Sequence, residues 1–143
     1  MRTLIYPLLF LALISCNSIK PENSETKMII QKDLANPQVK DHQFLDCMYQ
    51  DFYFPKFLVD KCKFILLNLC LEIENQKPSN HEELYRLSHA ATNSINYLED
   101  EFFENGSEIE TAARECLAMD FEFIAVAYGF EADVEELIAT REW

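Results

Sequence analysis

Glycine is scarce in this chain, with two residues among 143, and its scarcity excludes several kinds of site. A glycine-rich loop that cradles phosphate with backbone N–H groups cannot be built. The G-x-S-x-G motif of serine hydrolases, the CxxC pair and the His/Cys spacing of zinc sites are also absent. We therefore expect no cofactor and no metal site of a familiar kind.

Basic residues are also few, because 12 Lys and Arg stand against 25 Asp and Glu, for a formal net charge of −13. Such a surface repels nucleic acid and anionic phospholipid, so we expect no nucleic-acid partner. It suits a basic protein or a cation, or it serves only solubility. Hydrophobic residues make up 49% of the chain and aromatic residues 13%, which is enough for a packed core.

Apolar runs long enough to cross a bilayer are missing as well. The run from Leu4 to Ile14 follows a positively charged start and has the length of a signal peptide, whereas a spanning helix needs about 20 residues. Its end, Leu13-Ile14-Ser15-Cys16, resembles the lipobox of bacterial lipoproteins. That resemblance implies cleavage before Cys16 and acylation of its sulfur and new amine. An ordinary secretory signal with a chance cysteine is the alternative.

Lipidation of Cys16 would hold the protein stably on a membrane, because two or more acyl chains bind a bilayer firmly. The predicted location is the bacterial cell envelope, with the domain outside the cytoplasm. The outer membrane is favoured because Asn17 is not the aspartate of an inner-membrane retention signal. We predict a signal peptide over residues 1–15, a flexible polar tether over 16–38 and a single domain over 39–143.

The domain is predicted to be all-α, a compact bundle of about four to five helices with short connections and no sheet. Apolar residues recur at three- and four-residue spacing, and both glycines fall at predicted helix ends. Ser79 and Ser107 each begin a capping box. The predicted helices cover roughly residues 41–50, 55–76, 79–104 and 107–128, with a short last helix from 133. The second is apolar on most sides, so we expect it at the centre.

Four cysteines remain beside Cys16. Cys62 and Cys70 lie about 12 Å apart along one predicted helix and cannot bond each other. A disulfide would join Cys47 or Cys116 to one of them. The preferred interpretation is that all four are small apolar core residues.

Three segments carry a family resemblance: DFYFPKFLVDK (51–61), ENGSEIETAAR (104–114) and ELIATREW (136–143). They are similar to those of a small bacterial family of unknown function, and the similarity extends from Cys47 to Trp143. The resemblance implies no activity and no site residues. Members of this family are often plain soluble proteins, so the lipobox leader would be an addition.

Histidine offers little catalytic chemistry. His81 and His89 are too far apart on one helix to share a metal ion. His42 and Asp46 have i,i+4 spacing and could supply two ligands, but a catalytic zinc site needs three. Cys62 or Cys70 could face His89, although apolar neighbours would raise the thiol pKa. We therefore expect no enzymatic activity.

The candidate partner-binding residues are an aromatic group and an acidic group. The acidic group lies at the predicted end of the third helix, where carboxylates oppose the helix dipole. The alternatives are packing of the aromatic group against the central helix and a merely solvated acidic face. The two groups are Phe52, Tyr53 and Phe54, and Glu99, Asp100, Glu101 and Glu104.

These features favour a membrane-anchored, non-enzymatic module that binds a basic protein. One specific form is an immunity protein that neutralises a toxin. The first alternative is a small hydrolase or metal-dependent enzyme that uses His89 with a cysteine or carboxylate. The second is a structural envelope lipoprotein.

Overall fold

The structure is a computed structural model that describes residues 29–143. Every regular element in these residues is a helix, which confirms the predicted all-α class. The predicted signal peptide, Cys16 and the tether up to residue 28 lie outside the described residues. After a 3-10 turn at Gln31–Asp33, the helices are α1 Pro37–Asp41, α2 Asp46–Gln50, α3 Lys56–Gln76, α4 His81–Asn96, α5 Glu99–Glu104, α6 Thr111–Ala127 and α7 Val134–Leu137.

Helix α3, the longest helix, packs against α2, α4 and α6, whereas α6 packs against α1, α2, α3 and α7, so the central position predicted for α3 is shared with α6. It ends at Lys77, which adopts a left-handed conformation and donates its N–H to the Ile73 carbonyl. The short connection through Pro78 returns the chain along α3, so α3 and α4 are antiparallel. The buried side chains of α3 are Leu58, Val59, Cys62, Leu66, Leu67, Leu69, Cys70 and Ile73.

Two predicted helices are broken. The first is interrupted at Leu45, which has a φ of 56° and donates its N–H to Asp120 Oδ2 at 2.7 Å. The third breaks at Tyr97 and Leu98, so that α5 is a separate helix. The acceptor of the Leu45 N–H, Asp120, lies 75 residues further along the chain, so local periodicity cannot predict this hydrogen bond.

The domain begins earlier than the predicted boundary at residue 39. Leu34 is only 1% exposed, and the N–H groups of Ala35 and Asn36 donate to the Glu74 carboxylate on α3. Asn36 also caps α1 and donates from Nδ2 to the Ala127 carbonyl at 2.7 Å. The last residues of the predicted tether are therefore part of the domain, because their polar groups bond to helices rather than to water.

Both predicted capping boxes need correction. Asn80, rather than Ser79, caps α4, and Glu83 accepts a hydrogen bond from the Ser79 N–H at 2.6 Å. Ser107 caps nothing: its N–H closes the end of α5 by bonding to the Phe102 carbonyl, and α6 begins only at Thr111. Ser107 follows Gly106, and its N–H satisfies a carbonyl at the end of α5 instead of its side chain capping the start of α6.

The preferred interpretation of the cysteines is wrong for two of the four. Cys47 on α2 and Cys116 on α6 form a disulfide with a Cα–Cα distance of 6.2 Å. Cys62 and Cys70 are free and buried. The bridge joins residues 69 positions apart, and only the packing of α2 against α6 brings them together.

None of the helices within residues 29–143 is both long and apolar enough to cross a membrane.

Candidate functional site

The N-terminus of α3 and the C-terminus of α4 meet at one end of the bundle. Lys61, near the start of α3, binds the Glu101 carboxylate of α5 at 2.5 and 2.7 Å. Asn96, at the end of α4, donates to the Thr140 carbonyl and accepts from the Glu142 N–H. We call this region the aromatic end and define it as residues 51–61, 96–110 and 140–143.

The aromatic end carries all five largely exposed aromatic side chains of the described residues. Phe52 is 99% exposed, Tyr97 85% and Phe103 71%, while Phe57 and Tyr53 are about half exposed. Large exposed apolar groups are unfavourable in water, and when they gather in one region they mark an interaction surface. This uneven distribution is the strongest functional signal in the molecule.

The turn that carries Phe52 and Tyr53 is held by polar contacts. Lys56 donates from Nζ to three backbone carbonyls at the end of α2, those of Met48, Tyr49 and Asp51. The Asp51 carboxylate accepts from the Tyr53 N–H at 2.8 Å. These contacts hold the exposed rings on a defined turn while α2 is folded, because two of the three carbonyls that Lys56 binds belong to α2.

The predicted aromatic group is divided between the surface and the core. Phe54 is buried at 4% exposure, so it anchors the turn and is not available to a partner. Phe52 and Tyr53 remain candidates. Sequence reasoning missed Phe57, Tyr97 and Phe103. The only usable signal was for Phe103, since a helix that buries Phe102 turns the next side chain toward solvent.

The acidic part of the aromatic end is strongly unbalanced. Residues 97–110 contain six carboxylates and no Lys or Arg. Lys61 pairs with Glu101, whereas Asp100 and Glu104 are exposed and take part in no ion pair among the described residues. Burial raises the pKa of Glu99, and the nearby charges of Glu142 and Asp100 raise it further. The charged form of Glu99 is therefore disfavoured in the folded chain.

The position of these carboxylates also corrects a prediction. Because the chain breaks at Tyr97 and Leu98, Glu99, Asp100 and Glu101 lie in the first turn of α5. Negative charge at a helix N-terminus is favourable, so the helix dipole does not oppose them. The repulsion among these three carboxylates is still unfavourable.

Two buried polar atoms at the aromatic end also lack partners. They are Ser107 Oγ and Trp143 Nε1, and no other buried side-chain polar atom in residues 29–143 is unpaired. The three segments that carry the family resemblance contribute both of these residues and much of the exposed aromatic surface.

An apolar groove adjoins the aromatic end. It has a volume of about 570 Å³ and shares Asp60, Lys61 and Leu98 with that end. Phe64, Ile65 and Leu67 of α3 also line it. A partner bound at the aromatic end could place an apolar side chain in this groove.

The histidines do not assemble a metal site. His42 pairs with Asp120 through a 2.6 Å contact instead of with Asp46, and its ring stacks on Phe123. Burial raises the pKa of Asp120, while hydrogen bonds from His42 and the Leu45 N–H act in the opposite direction. Among residues 29–143 there is no group of three side chains suited to hold a metal ion.

The remaining histidines bind backbone rather than catalytic groups. His81 and His89 each contact a backbone carbonyl, those of Glu131 and Glu136, at 2.7 Å. Cys62 and Cys70 lie in the core, where burial raises the pKa of each thiol to about 12. Neither thiol is activated as a nucleophile.

A model of the family described as "Family of unknown function (DUF5713)" matches residues 38–143, which include almost every helix of the fold. The resemblance found in the three sequence segments is thereby confirmed. Comparison with curated proteins and with solved structures finds no match for the chain.

Proposed function

This chain belongs to the DUF5713 family, and we propose that it is a protein-interaction module whose aromatic end binds a basic protein. The single observation that carries the proposal is that all five exposed aromatic side chains of residues 29–143 belong to the segments of the aromatic end, which also contain the six carboxylates of residues 97–110. Aromatic side chains dominate the energetics of many protein interfaces. Their exposure without a partner therefore supports a binding role for this end.

The partner's chemistry follows from charge. Arginine and lysine side chains pair with carboxylates and also lie favourably over aromatic faces. The chain itself provides two examples, because Lys56 and Lys61 lie 6.0 Å from the ring centres of Phe52 and Phe57. A basic partner would also relieve the repulsion around Glu99. An anionic membrane surface would add to that repulsion, so it is the less suitable occupant.

We further propose that the protein is exported and lipid-anchored through Cys16 in the bacterial cell envelope. The Cys47–Cys116 disulfide supports export, because disulfides persist mainly in oxidising compartments. A basic toxin that reaches the envelope is one partner of suitable chemistry, and the module would then act as an immunity protein. Mass spectrometry of the mature N-terminus tests the anchor, and an unmodified Cys16 sulfur or an uncleaved leader would contradict it.

Binding of a decaarginine peptide to the purified full chain tests the interaction surface. Isothermal titration should show that Phe52→Ala with Phe103→Ala weakens binding about tenfold or more, since removal of interface anchors typically costs at least 1 kcal/mol. The matched control is Met119→Ala with Val126→Ala, which removes two exposed apolar side chains from α6 and should leave the affinity unchanged.

A second pair of variants tests the acidic component. Glu99→Gln, Asp100→Asn and Glu104→Gln together should weaken decaarginine binding. Control substitutions to glutamine remove the same charge from other exposed sites and should have a much smaller effect. The control sites are Glu82, Glu115 and Glu122.

Three results would contradict the proposal. Equal losses in both charge variants would mean general attraction between opposite charges. Absence of binding would leave the structural-lipoprotein alternative, for which abundance without a specific partner is expected. Binding of the full chain to vesicles of anionic phospholipid, lost with Phe52 and Phe103, would identify a membrane-contact surface instead.

A further inference from the structure

We propose that the Cys47–Cys116 disulfide is a thiol–disulfide exchange site whose reduction releases the turn at residues 51–55 that carries Phe52 and Tyr53, here called the aromatic turn, and this inference rests on the function proposed above. The attacking reagent is a small-molecule or protein thiol. The inference depends on three observations: the unequal exposure of the two sulfur-bearing residues, the burial of the other thiols, and the position of α2 beside the turn.

The exposure of the two cysteines determines where a thiol can attack. Cys47 lies on the exposed side of α2, whereas Cys116 is buried at 2% exposure. An incoming thiolate therefore reaches the Cys47 sulfur. Cys62 and Cys70 are completely buried and are closed to the same reagent. Exchange is confined to one position of the domain.

Complete reduction of the Cys47–Cys116 disulfide consumes two reagent thiols. The first thiolate attacks the Cys47 sulfur, a mixed disulfide forms there, and the sulfur–sulfur bond to Cys116 breaks. Cys116 leaves as a thiolate and takes up a proton. A second thiolate then attacks the reagent's sulfur, so that Cys47 is released as a thiol and the reagent leaves as its own disulfide. The protein disulfide gains two electrons and the two reagent thiols supply them.

The position of α2 connects this reaction with the binding surface. Helix α2 has five residues, and a helix that short is not stable without tertiary contacts. The disulfide joins it covalently to α6, and the aromatic turn begins directly after it at Asp51. The remaining contacts of α2 are noncovalent: it packs on α6 and α3 through Met48, Tyr49 donates to the Asp60 carboxylate, and Lys56 donates to carbonyls of α2. Reduction therefore removes the only covalent cross-link between α2 and another helix among the described residues.

Hydrogen exchange on the full chain, oxidised and reduced, tests the release of the turn. In the reduced protein, the hydrogen-bonded amides within residues 46–54 should exchange at least about tenfold faster and approach unprotected rates, while α4 amides lose part of their protection but remain far from unprotected rates. Decaarginine should bind the reduced form more weakly. The double variant Cys47→Ser with Cys116→Ser should reproduce the reduced behaviour and should not respond to reductant.

Treatment with reduced glutathione identifies the exchange position. The transient adduct, trapped by acid and mapped by peptide mass, should be on Cys47. An adduct on Cys116, Cys62 or Cys70 would overturn the proposal. So would unchanged protection of residues 46–54, or exchange of α4 amides at unprotected rates together with those of α2, since reduction would then unfold the whole domain. If the local release occurs but neither form binds decaarginine, the binding function fails and the exchange site stands.

Discussion

The polar groups at the two ends of the helical bundle differ in how completely they are hydrogen-bonded or ion-paired. At the end formed by Glu74, Tyr128 and Asn36, which we call the Glu74 end, each polar group has a defined partner. Burial raises the pKa of Glu74, but hydrogen bonds from Ala35, Tyr128 and Asn36 outweigh it and leave the pKa below its ordinary value. At the aromatic end, burial and neighbouring carboxylates raise the pKa of Glu99.

The difference indicates what each end contributes. The Glu74 end joins the first described residues to α3 and α6, so its interactions stabilise the fold. The aromatic end keeps exposed rings, repelling carboxylates and two unpaired buried polar atoms, none of which favours folding. Features that oppose stability and gather in one region are expected where a protein functions. The contrast can be tested by altering each end separately.

The largest expected effect comes from removing the disulfide that holds α2 beside the aromatic end. Cys47→Ser with Cys116→Ser should lower the free energy of unfolding by about 4 kcal/mol, the chain-entropy value for a closed loop of this length. Urea denaturation measures the change. The reduced wild-type chain should show the same loss, and a wild-type midpoint that does not respond to reductant would contradict the prediction.

The next effect concerns the Glu74 end. Glu74→Ala should lower the free energy of unfolding by about 2 kcal/mol, because hydrogen bonds to a carboxylate are lost and their donors remain partly buried. Thermal denaturation at neutral pH gives the value. Glu82→Ala, at an exposed position on α4, is the control and should change stability little.

The same carboxylate should also make stability depend on pH. A group whose pKa is lowered by folding stabilises the chain above its unfolded pKa, about 4.3 for glutamate, and loses that contribution as pH falls through the folded pKa. The stability difference between wild type and Glu74→Gln should therefore be constant above about pH 5 and shrink at lower pH. A difference that grows on acidification would contradict the assignment.

At the aromatic end, a substitution should weaken binding with little effect on stability. Phe52→Ala should change the free energy of unfolding by less than about 0.5 kcal/mol, because the side chain is almost fully exposed. The same substitution should weaken binding of a basic partner several-fold. A large loss of stability would show that Phe52 supports the fold and would remove the contrast between the two ends.

The smallest expected effect is a gain in stability. Glu99→Gln should raise the free energy of unfolding by a few tenths of a kcal/mol at pH 7, since it removes a charge that burial disfavours and that Glu142 and Asp100 repel. Because folding raises this pKa, the penalty in the wild type exists only above the unfolded pKa, and the gain should vanish near pH 3. High salt should reduce it as well, and a gain that persists at low pH would require another cause.

The candidate site was predictable only in part. Phe52, Tyr53 and the acidic residues Glu99 to Glu104 were recognised from composition, since aromatic and charged clusters are visible in the chain itself. Tyr97 and Phe103 were not, because their exposure depends on a helix break and on which side of α5 faces the core. Phe52 and Phe54 were both predicted to bind a partner. They lie two residues apart on the same turn, yet Phe52 is exposed and Phe54 is buried in the core.

The sequence by itself determined the all-α class, the extent of α3 and its end at Lys77-Pro78. These features follow from hydrophobic periodicity and backbone preferences, which act between near neighbours along the chain. Only the tertiary structure decided that Cys47 pairs with Cys116, that Asp120 holds Leu45 and His42, and that exposed rings gather at one end. Each of these depends on contacts between residues far apart in sequence, for which local pattern carries no information.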